Sequence, residues 1–266
     1  MRSNGVMSLV LGLTFIYLVT GALFYAGQRR LIYFPTREIS RAPAEELRLE
    51  NAGEVLKIWK KTGTGSDAVI YFGGNAEDVA GSVPAFSSGF PEHTIYLVNY
   101  RGYGGSSGSP SESALFSDAL ALHDYLSTRH SRVSVIGRSL GSGVAVYLAS
   151  RKQVDRLILV TPFDSIVNLA GRLLPIYPTS LLVTERFDSL GYVPGVTAPV
   201  LFIIAEQDEV IARRHSDNLI SAFPAAQITV EIIKGATHNS IDLFPAYMHN
   251  LGTFLKTAYP EVGFDS

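Results

Sequence analysis

Apolar positions are distributed in two ways along this chain of 266 residues. Between residues 7 and 26 most positions are apolar and none is charged, whereas beyond residue 45 short apolar runs alternate with longer mixed stretches. Apolar runs of strand length predict buried strands, and mixed stretches with apolar residues on one side predict helices. The predicted strands cover residues 47–50, 55–61, 68–72, 94–99, 133–136, 156–160, 199–205 and 228–233.

Helical stretches separate these strands, and they include residues 110–129, residues 144–150 and a closing helix to about Thr257. Strands that alternate with helices form a mostly parallel sheet with helices on both faces. The expected fold class is therefore α/β, with one domain over residues 30–266. In such a sheet, ligands bind at the carboxyl ends of the strands.

Residues 7–26 do not fit this alternation. About 20 uncharged residues, rising 1.5 Å each, cross about 30 Å of hydrocarbon. Tyr25 lies where interfacial aromatic residues are found, and Arg29 and Arg30 follow. We interpret residues 1–29 as an uncleaved, single-pass membrane anchor.

Two alternatives for this segment stay open, a cleaved signal peptide and a buried core helix. The apolar run is longer than that of an ordinary signal peptide, and Phe24 occupies a position where cleavage needs a small residue. The side of the membrane on which the domain lies also stays open. Positive charges after the segment favour the cytoplasm, but domains after short amino tails are often exported. The arginines that flank the segment are Arg2 before it and Arg29, Arg30, Arg37 and Arg41 after it.

Composition narrows the function. An apolar content of 47% is enough for a large core, and the net charge of −2 offers no basic stripe for nucleic acid. The chain has no cysteine, which excludes disulfides and cysteine-ligated metals and leaves the compartment open. We expect no cofactor and no metal.

A nucleophile motif follows the strand at 133–136. Residues 137–141 read Gly-Arg-Ser-Leu-Gly, a G-x-S-x-G pentapeptide between a strand and a helix. Glycines permit the tight turn, and the turn exposes Ser139 as a strained nucleophile. The N–H of Leu140, at the start of the helix, is a candidate oxyanion donor.

A serine nucleophile needs a base, and the base needs an orienting acid. The candidate base is His238, which follows a strand in a loop that reaches the serine. His215 and His249 lie in predicted helices with polar neighbours and are expected to face solvent. Asp208 ends the strand before that loop and is the favoured acid, and Asp164 is the alternative. Glu206 and Glu209, which flank Asp208, are expected to be solvated.

The loop after the strand at 68–72 is the expected source of a second oxyanion donor. We expect the N–H of Asn75 in this role, with that of Gly74 next. The glycine-rich loop at 100–110 does not open onto a helix with dinucleotide-binding spacing. Instead, a capping box at 109–112 with proline at the first helical position predicts the start of the next helix.

With these motifs the chain resembles the α/β-hydrolase serine hydrolases, in particular the membrane-anchored group related to protein-depalmitoylating thioesterases. The resemblance implies an α/β-hydrolase fold and a Ser139, Asp208 and His238 triad. Two positions depart from the family pattern, Gly73 in place of histidine and Asn99 in place of aspartate. The motifs that carry the resemblance lie at 30–35, 74–76, 100–104, 109–112, 137–141, 208–211 and 238–239.

The leading interpretation is therefore hydrolysis of carboxylic esters or thioesters through an acyl-enzyme, with a small-molecule or lipid acyl substrate. The strongly apolar residues 165–198 separate two catalytic strands and are expected to form a short lid that suits an acyl chain. A peptidase of the same fold and a membrane-tethered binding module without activity are the alternatives.

Overall fold

The structure, a computed structural model, describes residues 2–38 and 43–256. Two positions named above, Arg41 and Thr257, lie outside the described residues. The strands are β1 (Glu45–Asn51), β2 (Glu54–Lys61), β3 (Ala68–Phe72), β4 (Thr94–Val98), β5 (Val133–Arg138), β6 (Leu157–Val160), β7 (Val200–Ala205) and β8 (Ile228–Ile233). The helices are α1 (Arg2–Ile32), α2 (Val83–Gly89), α3 (Glu112–Ser127), α4 (Leu140–Arg151), α5 (Ile166–Leu173), α6 (Thr179–Leu182), α7 (Ser189–Tyr192), α8 (Arg213–Ala222) and α9 (Pro245–Lys256), with 3₁₀ turns at Val79–Ser82, Val193–Gly195, Ala225–Gln227 and Ile241–Leu243.

Within the described part of the chain, the strands form one eight-stranded sheet in the order β1-β2-β4-β3-β5-β6-β7-β8. The pairs from β4 through β3, β5, β6 and β7 to β8 are all parallel, whereas β1 and β2 pair antiparallel at one edge. The predicted α/β fold with a mostly parallel sheet is confirmed. The carboxyl ends of β3 to β8 consequently meet at one edge of the sheet.

Helices cover both faces of this sheet. Successive residues of one strand enter opposite cores: Ile70 and Val135 pack with α3 and α4, whereas Tyr71 and Ile136 pack with α2 and α9. The central strands are therefore buried on both faces, which is why they read as continuous apolar runs rather than as alternating patterns.

α1 continues through the predicted anchor to Ile32. Its segment Gly5–Ile32 is long and apolar enough to cross a membrane, and 6% of its apolar window is buried inside the protein. A core helix would be largely buried, so the structure argues against that alternative. Just after α1, Tyr33 is 3% exposed and packs in the same core as α3 and α4. Because the helix is continuous across residues 29 and 30, the domain boundary there stays a prediction.

The start of α3 differs from the predicted capping box at 109–112. Ser111 is the N-cap, its hydroxyl accepts a backbone N–H of the first turn at 3.2 Å, and the helix begins at Glu112 rather than at a proline. The carboxylate of Glu112 accepts the backbone N–H groups of Arg186 and Phe187. The glutamate therefore holds a distant segment and does not close a capping box.

The predicted lid segment, residues 165–198, has two parts. Its second part packs on α4 and contributes Phe187, Val193 and Val196 to the core, so it belongs to the body of the domain. Its first part contains α5 and α6, which contact each other, and α6 also contacts α1.

Candidate active site

Ser139 lies at the turn between β5 and α4, as the motif predicts. Its backbone has φ 50° and ψ −116°, a conformation that is rare for a residue with a side chain. Contacts require the flanking glycines: a Cβ on Gly137 would lie 2.4 Å from the carbonyl oxygen of Gly141, and a Cβ on Gly141 would lie 2.1 Å from that of Phe72. This close packing holds Ser139 at the carboxyl edge of the sheet.

His238 and Asp208 lie next to Ser139. The Nε2 atom of His238 is 3.0 Å from Oγ of Ser139, and its Nδ1 atom is 2.9 Å from Oδ2 of Asp208. Oδ1 of Asp208 also accepts the N–H groups of Val210 and Ile211 at 2.9 and 2.7 Å, which fixes the carboxylate. The side chains of His238 and Asp208 are 7% and 6% exposed. Three side chains from three loops thus form one hydrogen-bonded line.

Asp164, the alternative acid, has other partners. Its fully buried carboxylate lies 2.9 Å from Nδ1 of His215 and accepts hydrogen bonds from the amides of Asn168 and Asn218, and it does not contact His238. The prediction that His215 faces solvent is wrong, because the residue is 3% exposed. α8 is polar along most of its length, and only the fold determines which of its polar residues faces inward.

Glu206 and Glu209 are exposed, as expected, and they also hold the loop of His238. Glu209 accepts the backbone N–H of His238 at 3.1 Å, and Glu206 accepts that of Gly235 at 2.8 Å. Each pair is separated by 29 residues, so the local charge pattern carries no signal for it. These contacts position the loop that carries the histidine.

The loop after β3 passes beside Ser139, and a Cβ on Gly74 would lie 3.7 Å from that of Ser139. The N–H of Gly74 donates to the carboxylate of Glu77 at 2.7 Å, so Gly74 is not available as an oxyanion donor in this structure. Among the described residues, none accepts the N–H of Asn75. Leu140 opens α4, where the first N–H groups of a helix have no intrahelical acceptor.

The side chain of Asn75 connects this loop to the end of α1. Its Nδ2 donates to the carbonyl of Ile32 at 2.6 Å, and its Oδ1 accepts the N–H of Phe34 at 3.0 Å and the hydroxyl of Tyr103 at 2.8 Å. The amide is therefore held at both ends. The sequence locates the loop, but it does not show these partners, one of which lies 43 residues away.

Arg138 and Glu77 brace the site, and sequence reasoning missed both. Arg138 donates to the carbonyl of His238 at 3.3 Å and lies 3.8 and 3.5 Å from the carboxylates of Glu77 and Asp242. Burial lowers the pKa of the Arg138 guanidinium, but four acidic groups around it together raise that pKa more, so the charge is kept. These groups are Tyr71, Glu77, Tyr247 and Asp242. Burial and the charge of Glu77 raise the pKa of Tyr71, which donates to Glu77 at 2.7 Å. The one available sequence signal for this role was the arginine at the second position of the Gly-Arg-Ser-Leu-Gly motif.

A cleft of about 180 Å³ opens at Ser139 and His238. No residue of the segment 165–198 lines it, so the expected lid does not roof the cleft in this structure. A wider groove of about 810 Å³ lies beside α3 and α4, away from Ser139, His238 and Asp208. Within residues 2–38 and 43–256, no group of three or more histidine or acidic side chains could hold a metal ion. Among the residues that the structure describes, the lining of the cleft is Gly74, Asn75, Ala76, Glu77, Arg138, Ser139, His238 and Asn239.

Comparisons with known proteins place these residues in a family. The model of the dienelactone hydrolase family matches residues 105–240, which include Ser139, Asp208 and His238. The chain is 30% identical over 237 residues to an uncharacterised protein of Mycobacterium tuberculosis, with 82% of this chain and 83% of that protein covered. It is also 30% identical over 238 residues to the α/β-hydrolase domain-containing protein 17C of Xenopus tropicalis, with 86% and 74% covered.

Solved structures share the fold at lower identity. An esterase of Pyrococcus furiosus superposes with a TM-score of 0.67 at 19% identity, covering 84% of this chain and 98% of the esterase. An enol-lactonase of Burkholderia xenovorans superposes with a TM-score of 0.63 at 15% identity, covering 79% and 100%. The chain therefore belongs to the α/β-hydrolase family and is a hydrolase of that fold, as the resemblance implied.

Proposed function

We propose that this protein is a membrane-anchored serine hydrolase that cleaves carboxylic esters or thioesters of acyl chains through an acyl-enzyme. The observation that carries the proposal is the hydrogen-bonded line from Ser139 through His238 to Asp208 at a strained strand-to-helix turn. This line supplies a nucleophile, a base and an orienting acid.

In the first half-reaction, Oγ of Ser139 attacks the carbonyl carbon while its proton moves to Nε2 of His238. Asp208 accepts a hydrogen bond from Nδ1–H and stabilises the imidazolium that forms. The N–H groups of Leu140 and Asn75 donate to the oxyanion, and the amino end of α4 favours its negative charge. When the intermediate collapses, the carbon–oxygen or carbon–sulfur bond breaks, and the alcohol or thiol leaves with the proton from His238.

In the second half-reaction, a water molecule takes the place of the leaving group. His238 accepts a proton from this water, and the resulting hydroxide attacks the acyl-serine carbonyl with the same oxyanion donors. Collapse of the second intermediate returns the proton to Ser139 and releases the carboxylic acid. The substrate and one water molecule balance the two steps.

The end of α1 supports a substrate that is held in the bilayer. Asn75, an expected oxyanion donor, is hydrogen-bonded to Ile32 in the last turn of α1. If the hydrocarbon ends near residue 26, Ile32 lies about 9 Å beyond it along the helix. The cleft therefore opens close to the membrane surface, where the carboxyl group of a membrane-held acyl chain lies. Tethering also raises the effective concentration of enzyme and substrate.

The contacts favour this reaction over the two alternatives. A peptidase that binds a free amino terminus needs an unpaired carboxylate near the cleft, but Glu77 and Asp242 both pair with Arg138. A binding module without activity has no use for the strained backbone of Ser139, which costs about 1–3 kcal/mol.

A fluorophosphonate probe tests the proposal, because it reacts with activated serine hydroxyls. We expect the probe to label the wild-type chain and the Ser221→Ala variant, which loses an exposed hydroxyl on α8, and not to label Ser139→Ala. Hydrolysis of acyl esters and thioesters of increasing chain length should disappear in the same variant. Labelling that persists in Ser139→Ala, or peptide cleavage that is faster than ester cleavage, would contradict the proposal.

A further inference from the structure

The first part of the segment 165–198 presents apolar side chains away from the domain. Residues 173–184 carry no charge, and we call residues 173–182 the lid tip. Leu173, Ile176 and Leu181 in this tip are 78%, 70% and 78% exposed. A contiguous group of exposed apolar side chains marks a surface that is covered by something else.

The lid tip lies against α1. The ring of Tyr177 stacks on that of Tyr17, with 4.6 Å between centroids and 6° between planes. The hydroxyl of Tyr17 donates to the carbonyl of Ile176 at 3.0 Å, and the hydroxyl of Tyr177 is hydrogen-bonded to that of Thr20. At Gly21 a Cβ would lie 3.2 Å from the Tyr177 ring, so a small residue lets the two segments approach, as in contacts between membrane helices.

A second contact sets the length of this association. The side chain of Gln28 donates to the carbonyl of Leu182 at 3.1 Å and accepts the N–H of Thr184 at 2.8 Å. The lid tip therefore follows α1 from Gln28 to Tyr17, which is a rise of about 16 Å along the helix.

The charges at the two ends of α1 limit where the hydrocarbon can lie. Residues 3–28 between Arg2 and Arg29 are uncharged, and hydrocarbon about 30 Å thick covers about 20 of them. If it covers residues 7–26, Tyr17 lies about 14 Å inside its boundary. If it is shifted as far toward Arg2 as possible, Tyr17 still lies about 8 Å inside.

The backbone of the lid tip is suited to hydrocarbon, where every polar group needs an internal partner. Two of its residues are prolines, which lack an N–H group. Most of the other N–H groups donate to backbone carbonyls in the tip or just before it. The donors in the tip are Leu174, Tyr177, Thr179, Leu181 and Leu182, and the acceptors lie at Ala170, Leu174, Tyr177 and Pro178.

We propose that the lid tip is inserted into the lipid leaflet beside α1, with acyl chains of that leaflet against Leu173, Ile176 and Leu181. The inference rests on the proposed function only in taking α1 as the membrane anchor. Charged groups bound the inserted part and lie at the membrane surface. They are Arg172, the pair of Arg29 with Glu185, and Arg186, whose guanidinium donates to the carbonyl of Ser180 at 3.0 Å. The protein is thus held in the membrane by two segments, one spanning and one inserted.

The natural absence of cysteine allows a direct test on the full chain. Single cysteines at Leu173, Ile176 and Leu181 are labelled with an environment-sensitive fluorophore, and the protein is reconstituted into phosphatidylcholine vesicles. Leu13→Cys, which is 59% exposed on α1, is the reference for lipid. Ala225→Cys is the reference for water. Ala225 is exposed in the turn before β8, at the amino ends of the parallel strands and away from the edge that carries Ser139.

We expect the three lid-tip labels to match Leu13→Cys, with blue-shifted emission and quenching by a nitroxide on the lipid acyl chains. Quenching by aqueous iodide should occur only at Ala225→Cys. Lid-tip labels that behave like Ala225→Cys, while Leu13→Cys reports lipid, would overturn the inference. These spectra need no turnover, so an inactive enzyme would leave them unchanged, and failure of the anchor would show as a Leu13→Cys label in water.

A second variant guards against misfolding caused by the labels. Ile176→Trp adds an indole to a chain whose one native tryptophan, Trp59, is 6% exposed. Brominated lipids should quench the fluorescence that this variant gains, and labelling of Ser139 by the fluorophosphonate probe should persist as a check of folding. Absence of quenching by the lipids would also overturn the inference.

Discussion

Two aspartates at the carboxyl ends of neighbouring strands have different partners. Asp208 contacts His238 and two backbone N–H groups, whereas Asp164 contacts His215 and two asparagine amides. Both carboxylates are buried and both lie beside a histidine, so neither burial nor a histidine partner distinguishes the two aspartates. The separation is made by geometry, because only His238 reaches Ser139.

Substitution of the two acids should therefore give different phenotypes. We expect Asp208→Asn to lower kcat for a soluble ester by up to roughly 10⁴-fold, because the amide favours the wrong tautomer of the imidazole. Asp164→Asn should leave kcat within a few-fold and lower the thermal stability instead, because it disturbs a buried polar network. Steady-state kinetics and thermal unfolding of both variants check the ranking, and a larger loss of kcat in Asp164→Asn would move the acid to β6.

Asn75 has a separate role for its side chain and its backbone. Asn75→Ala keeps the N–H expected to donate to the oxyanion, but it removes the ties to Ile32 and Phe34 that hold it. A displaced donor acts on the transition state rather than on bound substrate, so kcat should fall with little change in KM. The fall should be at least roughly 10-fold and below the 10²- to 10³-fold seen when a donor is removed altogether.

Tyr103→Phe is the matched control for this prediction. It removes one hydrogen bond to the Asn75 amide and one from the N–H of Phe34, and it leaves the contacts of Asn75 with Ile32 and Phe34 in place. Its kcat should lie between those of the wild type and Asn75→Ala. An unchanged kcat in Asn75→Ala would mean that the loop holds its shape without this side chain.

At the residue scale, motif chemistry carried the sequence prediction a long way. The sequence selected Ser139, His238 and Asp208 because a strand, a turn and a required order restrict the choice, and the structure brings the three side chains together. Gly74 was less predictable, because its N–H donates to the carboxylate of Glu77. The prediction for His215 was wrong because its ring is buried against Asp164, which lies 51 residues away in the chain.

At the scale of elements, three segments meet at one buried carboxylate. Glu185 is 3% exposed and accepts hydrogen bonds from Arg29 at 2.7 Å, from the hydroxyl of Tyr33 at 2.6 Å and from the first N–H of α3. Burial raises the pKa of Tyr33, and the hydrogen bond and charge of Glu185 raise it further. Tyr33 therefore stays protonated and joins the end of α1 to the segment 165–198.

Removal of this carboxylate should destabilise the fold. Glu185→Ala leaves the Tyr33 hydroxyl and a helix N–H buried without a partner, so we expect a loss of about 2–4 kcal/mol in the free energy of unfolding. Glu231→Ala, on the exposed side of β8, should stay within about 0.5 kcal/mol. Denaturant unfolding of the full chain in detergent measures both, and similar values for the two variants would contradict the role of Glu185.

Strands were the easiest elements to predict and segment ends the hardest. The run at Ala68–Phe72 was predicted to the residue because a strand buried on both faces leaves a continuous apolar signal. The start of α3 was missed because the carboxylate of Glu112 accepts the N–H groups of residues 186 and 187 instead of closing a capping box. The apolar character of residues 165–198 indicated that they cover something, but not that part of them lies along α1.

At the scale of the whole molecule, α1 is the expected membrane anchor, and its last residues also contact the domain. A chain that begins at Gly27 keeps Gln28, Arg29 and Tyr33 with their partners. We expect it to hydrolyse a soluble ester at a rate within a few-fold of the full chain. On an acyl substrate carried by vesicles it should lose most of its activity, because tethering no longer raises the effective concentration.

A chain that begins at Phe34 is the companion to this comparison. It lacks Ile32 and Tyr33, which tie α1 to Asn75 and Glu185, so its activity should fall on both substrates. Both chains are assayed beside the full chain on a soluble ester and a vesicle-borne acyl ester. Equal losses on both substrates in the chain from Gly27 would mean that residues 1–26 shape the active site.

The contacts of α1 at Tyr17 and at Ile32 have a consequence for the membrane in which the protein works. A spanning helix that is too long for a thin bilayer tilts to fit it. Here the same helix is fixed to the lid tip at Tyr17 and, through Ile32, to the loop of Asn75. A change of tilt would therefore move the lid tip and the loop of Asn75 together, relative to the sheet that carries Ser139. If α1 spans the bilayer, we therefore expect turnover of one substrate to differ between vesicles of different hydrocarbon thickness.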